Sequence, residues 1–278
     1  MRREEAPEFR AGLESILRSH GVPVDMARSI EDRLLPVSFQ KGAVIFTRGS
    51  SADLVFWLLK GFAKLYLPHH DGDRTLVDLR RSGDLLSFAT DGDSEGRRHV
   101  FEAHALTKCS VGLLSVDQLL QIMGGLDQQT AVGLLVNLNA AWSITLERYV
   151  TLLGSSFRKR LEIVICNLAS RFGINEKRGM LLVPELSHED LANMIGSSRP
   201  MVSKLIADML DEGVLMRGEM RHFIVRMPMP KTPFSSSNQV GLATNASASV
   251  NFRRSPSPST LSPMVTQELA KNGLSIAR

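Results

Sequence analysis

The apolar positions of the chain change period twice. Between residues 5 and 35 they recur at helical spacing, at Phe9, Leu13, Ile16 and Leu17 and again at Val24, Met26, Ile30 and Leu34, with Gly21 and Pro23 marking a break between two short helices. From Val37 to Leu114 they fall into runs of strand length, Val44–Phe46, Leu54–Leu59, Ala63–Leu67, Leu76–Leu79 and Val111–Leu114, punctuated by Gly42, Gly49, Gly61, Gly72 and Gly83. Glycines at this spacing suit a chain that reverses between short antiparallel strands, because the turns require positive φ. The pattern predicts a small β-barrel or jelly roll.

Helical spacing then returns. Val116 to Met123 reads as a helix, and Leu126 to Leu153 as an unusually long one. Along the latter, Leu135, Leu138, Trp142, Thr145, Tyr149 and Leu152 fall alternately three and four apart, the spacing of a coiled-coil seam through which two copies can pair. The same spacing also suits an amphipathic helix lying against its own domain. A further helix begins at Phe157, with Leu161, Val164, Ile165 and Leu168 as its buried face and Gly173 as its stop. Beyond Pro230 the composition shifts to Ser, Thr, Asn, Pro and Gly, which predicts a disordered tail, with a transient helix near Val265 to Leu274.

The stretch from Leu186 to Leu215 carries the most chemistry. Ser187 is placed to cap a helix whose Glu189 and Asp190 suit its positive first turn and whose Leu191, Ala192 and Ile195 point inward. Gly196 ends that helix, and Ser197 or Ser198 caps the next, with Pro200 in its first turn where a missing amide hydrogen costs nothing. Val202, Leu205, Ile206 and Met209 form the buried stripe of this second helix, Gly213 closes it, and Arg199, Pro200, Ser203 and Lys204 are left on the outward face. Two short helices joined by a tight glycine turn, the second exposing Arg, Ser and Lys near its start, have the geometry that places side chains in a major groove. Arginine there can donate two hydrogen bonds to guanine. Val214 to Arg217, a turn at Gly218-Glu219 and His222 to Val225 then predict a β-hairpin wing, with Arg217 and Arg221 as phosphate contacts alongside the capping serines Ser187 and Ser198.

Composition adds limits. With 278 residues and 43% hydrophobic content there is material for two domains with cores of their own. No apolar run approaches the roughly 18 residues of a membrane span, so a cytoplasmic protein without membrane attachment is expected. Cys109 and Cys166 are far apart and lack a C-x-x-C partner, which leaves no disulfide framework, zinc ribbon or four-thiolate cluster and favours buried free thiols. The pI of about 9.3 is a weak argument for nucleic acid, because residues 231–278, with five basic and one acidic side chain, match the whole net charge of +4.

The motifs together resemble the cyclic-AMP receptor and fumarate-nitrate regulator (Crp/Fnr) superfamily of bacterial transcription factors over residues 10 to 228. Leu191-Ala-Asn-Met-Ile-Gly-Ser-Ser-Arg-Pro-Met-Val-Ser-Lys is similar to that family's recognition segment, which puts Arg199, Pro200 and Lys204 at its base-reading positions; a glutamate is usual where Pro200 stands. Lys41 to Phe46, Arg48-Gly-Ser, Ala52 to Gly61 and Ser82-Gly-Asp resemble the turns and strands of its cyclic-nucleotide-binding β-roll. The resemblance implies an α+β protein with a β-roll sensor and N-terminal helices (1–125), a dimerisation helix (126–156) using Leu135, Leu138, Trp142 and Tyr149, a winged helix-turn-helix (157–229) and the tail (230–278). It implies a homodimer on double-stranded DNA, with an unidentified small-molecule effector and RNA polymerase as further candidate partners.

Nucleotide-binding members carry Gly-Glu where this chain has Ser87-Phe88, and Arg-Ser or Arg-Thr where it has Arg98-His99. Phe88 cannot accept the hydrogen bond of a ribose hydroxyl, and an unpaired hydroxyl costs about 1 to 3 kcal/mol, so an effector other than cyclic AMP is expected in a pocket near Phe88, Arg98 and His99. The N-terminal cysteine cluster of the family's iron-sulfur sensors is absent from this chain, and no cofactor is required by the sequence. His69, His70, His99 and His104 are the available axial ligands for a haem.

Two other readings compete. A glycine-punctuated β-roll is also the form of metal-dependent cupin enzymes, but His69-His70 and the pair His99 and His104 lack the His-x-His spacing that converges on one metal, and no catalytic motif or metal site is read. A β-roll interaction module with a non-functional helix-turn-helix is the third.

Overall fold

The computed structural model describes residues 22–70, 72–87, 91–93, 96–128, 130–133, 146–147, 149–218 and 222–226, without the side chains of 87, 91–93 and 96. All of these lie in one compact unit, Met1–Gln239. Helix α1 (Val24–Arg33) precedes strands β1 (Leu35–Phe39), β2 (Val44–Phe46), β3 (Leu54–Lys60), β4 (Phe62–Pro68), β5 (Arg74–Arg81), β6 (Leu85–Ser87), β7 (Asp91–Asp93), β8 (Gly96–Arg98), β9 (Glu102–Ala105) and β10 (Cys109–Ser115). Helix α2 spans Val116–Met123, its first turn closed by a capping box between Ser115 and Gln118. The strands form two antiparallel sheets, β1-β10-β3-β6 and β2-β9-β4-β5, with β7 and β8 as a separate hairpin. This is the expected β-roll.

The turn glycines behave as the pattern requires: Gly42, Gly49, Gly61, Gly72 and Gly83 all have positive φ, from +78 to +96°. Gly61, between β3 and β4, is doubly constrained, since a Cβ there would lie 2.6 Å from the Lys108 carbonyl oxygen.

Strand β3 reads as an unbroken apolar run because both of its faces are covered. Phe56 points into the roll, where its ring lies 4.9 Å from that of Phe46. Val55, Trp57 and Leu59 point the other way and pack with Ala27 and Ile30 of α1 and Leu119 of α2. The helices flanking the roll thus seal the outer face of the first sheet.

The outer face of the second sheet is sealed by the C-terminal part of the chain. This part consists of α3 (Phe157–Phe172), β11 (Gly173–Glu176), β12 (Gly179–Leu182), α4 (His188–Ile195), α5 (Arg199–Asp211), β13 (Leu215–Arg217) and β14 (Phe223–Val225). Leu161, Val164, Ile165 and Leu168 of α3 are buried as their spacing predicts, Ser156 caps the helix and Gly173 ends it. The hairpin β11-β12, absent from the sequence-based expectation, joins β14 and β13 in a four-stranded sheet. One apolar cluster runs from Tyr66, Leu76 and Leu79 of the roll into Leu161, Leu168 and Leu191. The roll and the helix-turn-helix share a core.

Polar groups frame that core. Lys64 Nζ donates to Asp190 Oδ1 at 2.6 Å, and Arg171 donates to Asp78 Oδ1 at 2.6 Å and to the Leu79 carbonyl at 2.9 Å. The Tyr149 hydroxyl donates to the Val77 carbonyl at 3.0 Å, so this side chain, expected on a dimer seam, faces its own β-roll, where the phenol finds a backbone acceptor. Leu152 also packs against the shared core, whereas Leu146, Val150 and Leu153 stand 53%, 61% and 77% exposed. The apolar face left open on this segment is therefore rotated by about one residue from the predicted one. Leu135, Leu138 and Trp142 lie outside the described residues, as do the N-terminal helix before Gly21 and the tail.

Inside the roll, His99 is 2% exposed and stacks on Phe46 with ring centroids 4.2 Å apart. Burial pulls its pKa down to about 4, partly offset by Asp53. The unfolded chain takes up this proton near pH 6.5 and the folded chain only near 4, so stability present above pH 6.5 is lost as pH falls between those values. The loss attributable to His99 should approach about 3 kcal/mol at pH 4. Urea unfolding of the wild type and of His99→Leu across pH 7 to 4 checks this: the variant should show a shallower fall, and parallel curves would rule the buried neutral imidazole out.

Candidate nucleic-acid interface

Each part of the interface is set by local chemistry. Ser187 caps α4 by accepting from the Asp190 amide at 3.1 Å, and the Asp190 carboxylate returns the bond, its Oδ2 accepting from the Ser187 amide at 2.9 Å and hydroxyl at 2.8 Å. Helix α4 ends at Gly196, whose φ of 65° is the left-handed cap that glycine adopts without strain. Ser198 caps α5 by accepting from the Met201 amide at 3.4 Å, and Pro200 sits in the first turn. Val202, Ile206 and Met209 are buried against α4 and the wing, with Leu205 half-buried.

Arg199, Pro200 and Lys204 are consequently exposed on the first turns of α5. Ser203, expected beside them, is half-buried and already engaged. Its hydroxyl donates to the Arg199 carbonyl at 2.9 Å and lies 2.8 Å from His188 Nδ1. Since its single proton goes to the carbonyl, the imidazole must donate from Nδ1, which leaves the lone pair of the neutral ring on Nε2. Ser203 therefore retains acceptor capacity but no free donor. Ser187 is committed in the same way, its proton and a lone pair both used by the capping box.

Arg217, exposed at the end of β13, faces the start of α5 across a cleft of about 560 Å³ lined by His188, Arg199, Arg217 and His222. Burial, then Arg199, then Arg217 lower the pKa of His188, so the imidazole stays neutral beside two guanidinium groups. His188 is the residue that sequence reasoning missed. Its position at the start of α4 was legible, but its partner is fifteen residues away on another helix. Arg221 lies outside the described residues. What the cleft offers chemically is two guanidinium groups against the single Glu189 carboxylate beside a helix start, a net positive arrangement that attracts phosphate.

Of the predicted effector residues, the two that are described point apart. On strand β8 and the residue after it, Arg98 is exposed and donates to the Gly49 carbonyl at 3.1 Å, whereas His99 turns inward onto Phe46. Phe88 lies outside the described residues. Two of the other histidines raised as ligands have protein partners: His69 Nε2 lies 2.8 Å from Thr75 Oγ1, and His104 Nε2 3.0 Å from Glu102 Oε1. Among the described residues, no three His, Cys, Asp or Glu side chains gather as a metal site would require, and no helix is long and apolar enough to cross a membrane. Both cysteines are buried, and burial raises their thiol pKa values.

Comparison with known proteins agrees with this architecture. Residues 36–125 match the family described as cyclic nucleotide-binding domain, and residues 159–229 the Crp-like helix-turn-helix domain, together more than half of the chain. A global nitrogen regulator of Synechocystis sp. is 29% identical over 210 residues, covering 73% of this chain and 90% of the relative. A CRP-like cAMP-activated global transcriptional regulator of Mycobacterium tuberculosis is 24% identical over 194 residues, covering 69% and 85%. In fold, FixK2 from Bradyrhizobium japonicum superposes with a TM-score of 0.58 at 20% identity, over 70% of this chain and 93% of that one. With both domain families present in this order, and relatives spanning both, the chain belongs to the Crp/Fnr superfamily of bacterial transcription regulators.

Proposed function

We propose that this regulator binds double-stranded DNA as a homodimer, with Arg199, Pro200, Ser203 and Lys204 facing base edges and Ser198, Arg217 and Arg221 facing phosphate, while Ser187, whose hydroxyl and amide both donate to Asp190, serves as the cap of α4 rather than as a phosphate donor. The observation that carries the proposal is the exposure of Arg199, Pro200 and Lys204 at the start of α5, beside a cleft that Arg199 and Arg217 share with Glu189. Arg199 suits a guanine, and Ser203 serves as an acceptor for a base donor. Dimerisation aligns two such faces on half-sites about one DNA turn apart. The exposed Leu146, Val150 and Leu153 support that role for the segment expected to form the long helix.

The division proposed is a sensor over 1–125, a dimerisation helix over 126–156, a reader over 157–229 and a tail over 230–278. The chain acts in the cytoplasm and is not an enzyme; RNA polymerase is its further partner at promoters. Its effector is a small molecule other than cyclic AMP. Phe88 supplies no acceptor for a ribose hydroxyl, and His99, neutral and stacked on Phe46, supplies no charge to a cyclic phosphate.

Fluorescence anisotropy on selected and random duplexes tests the reading. Arg199→Ala should cost about 1 to 3 kcal/mol on the selected operator and relax preference at one base pair, while Arg217→Ala should weaken every duplex and lower the salt slope by about one. Equal wild-type affinity for operator and random sequence would sink the assignment. Sedimentation of Leu146→Glu/Leu153→Glu should show monomers with lost operator affinity; an intact dimer would move the interface elsewhere.

A further inference from the structure

We infer that Lys64 and Asp78, two residues of the β-roll, are positioning residues for DNA recognition, locking the helix-turn-helix onto the second sheet through Asp190 and Arg171. This rests on the DNA-binding reading above and adds how the reader is aimed.

The contacts form an unbroken path from sensor to DNA face. Phe62, Lys64 and Tyr66 alternate along β4 and share the face turned to the reader: Phe62 meets Phe172 edge-on at 5.9 Å, Tyr66 enters the shared core, and Lys64 reaches Asp190. Asp190 divides its two oxygens. Oδ1 takes the Lys64 ammonium, and Oδ2 closes the capping box of α4. One residue pair therefore holds the sensor strand to the first turn of the helix that supports the recognition helix. From that same turn His188 bonds Ser203, and Ser203 bonds the Arg199 carbonyl, so the path ends at the base-reading face.

The second pair grips the other helix of the reader. Arg171, near the end of α3, donates to Asp78 Oδ1 and to the Leu79 carbonyl, while Arg81 donates to the Arg171 carbonyl in return. The Lys64 and Asp190 side chains are 16% and 8% exposed, and those of Arg171 and Asp78 are 20% and 12% exposed. Charge pairs this sheltered add little net stability over an apolar pair of equal volume, but they penalise any displacement that separates them, which makes them orienting devices. Around the first pair stand Tyr66, Arg74, Glu102 and His104, with Arg74 stacked over the Tyr66 ring at 4.2 Å and 3.4 Å from Glu102. Tyr66, pushed up to about 12 by burial and then by Asp190, keeps its proton as a donor to that carboxylate. Arg199, Pro200 and Lys204 remain exposed in the docked arrangement, so docking aims the reader without covering it.

The test uses the full-length dimer with Lys64→Met, Arg171→Met, the double variant and the conservative Lys64→Arg. Hydrogen exchange followed by mass spectrometry reads the docking, and anisotropy on operator and random duplexes reads the function. In the double variant, residues 76–80 and 187–192 should exchange at least about tenfold faster while β10 keeps its protection. Operator affinity should fall about tenfold with random-duplex binding unchanged, because aim is lost while the exposed cations of the DNA face, Arg199, Lys204 and Arg217, are kept and the two removed were paired to carboxylates away from it. Lys64→Arg should match the wild type in both. If β10 also loses protection, Lys64→Met alone carries the test, with the same signs and smaller changes. Protection retained in the variants overturns the proposal, as does operator affinity that is unchanged or raised once protection is lost. A wild type that binds no duplex selectively would instead refute the DNA-binding reading, and the exchange arm would still decide the docking.

Discussion

A sheet with two apolar faces has to be covered twice, and the second sheet of this β-roll is covered inside by its partner sheet and outside by the helix-turn-helix. That requirement organises the rest of the chain. Tyr66, Leu76 and Leu79 leave water only when α3 and α4 pack over them, and α3 and α4 complete their own core only on that surface. Hydrophobic burial alone is non-directional and would tolerate sliding. The charged pairs at the margin remove that freedom, since an ammonium or guanidinium drawn away from its carboxylate into a sheltered environment is strongly disfavoured.

What the sequence showed and what it concealed divide along sequence separation. Elements decided by neighbours a few residues apart were legible: the glycine turns, the helix Val116–Met123, and the run from Ser187 through Gly196 to Gly213. The partners of Lys64 and Arg171 were not, because a charged residue on a strand or helix looks the same whether it faces water or a carboxylate 126 or 93 residues away. Tyr149 misled for a related reason. Its spacing suits a seam, but a phenol is satisfied by any acceptor within reach, and the Val77 carbonyl of its own β-roll supplies one. Hairpin β11-β12 escaped because its strands are short and its buried side is supplied by β14, which comes more than forty residues later.

The candidate DNA face shows how exposure and availability differ. Arg199, Pro200 and Lys204 combine both, whereas Ser203 and Ser187 spend their protons within the reader. Helical periodicity assigns a side chain to a face without saying which of its hydrogen-bonding groups are already in use. The same distinction holds in the sensor, where adjacent residues Arg98 and His99 point to opposite sides, and the exposed arginine donates to the Gly49 carbonyl.

Asp190 illustrates a constraint on how such a protein diverges. Because one carboxylate closes a helix cap and also anchors a strand of another domain, replacing it damages two structures at once. Lys64 has no such second duty in helix folding. A change in how firmly sensor and reader are joined therefore costs less when made at position 64 than at position 190, where the helix cap is lost together with the anchor.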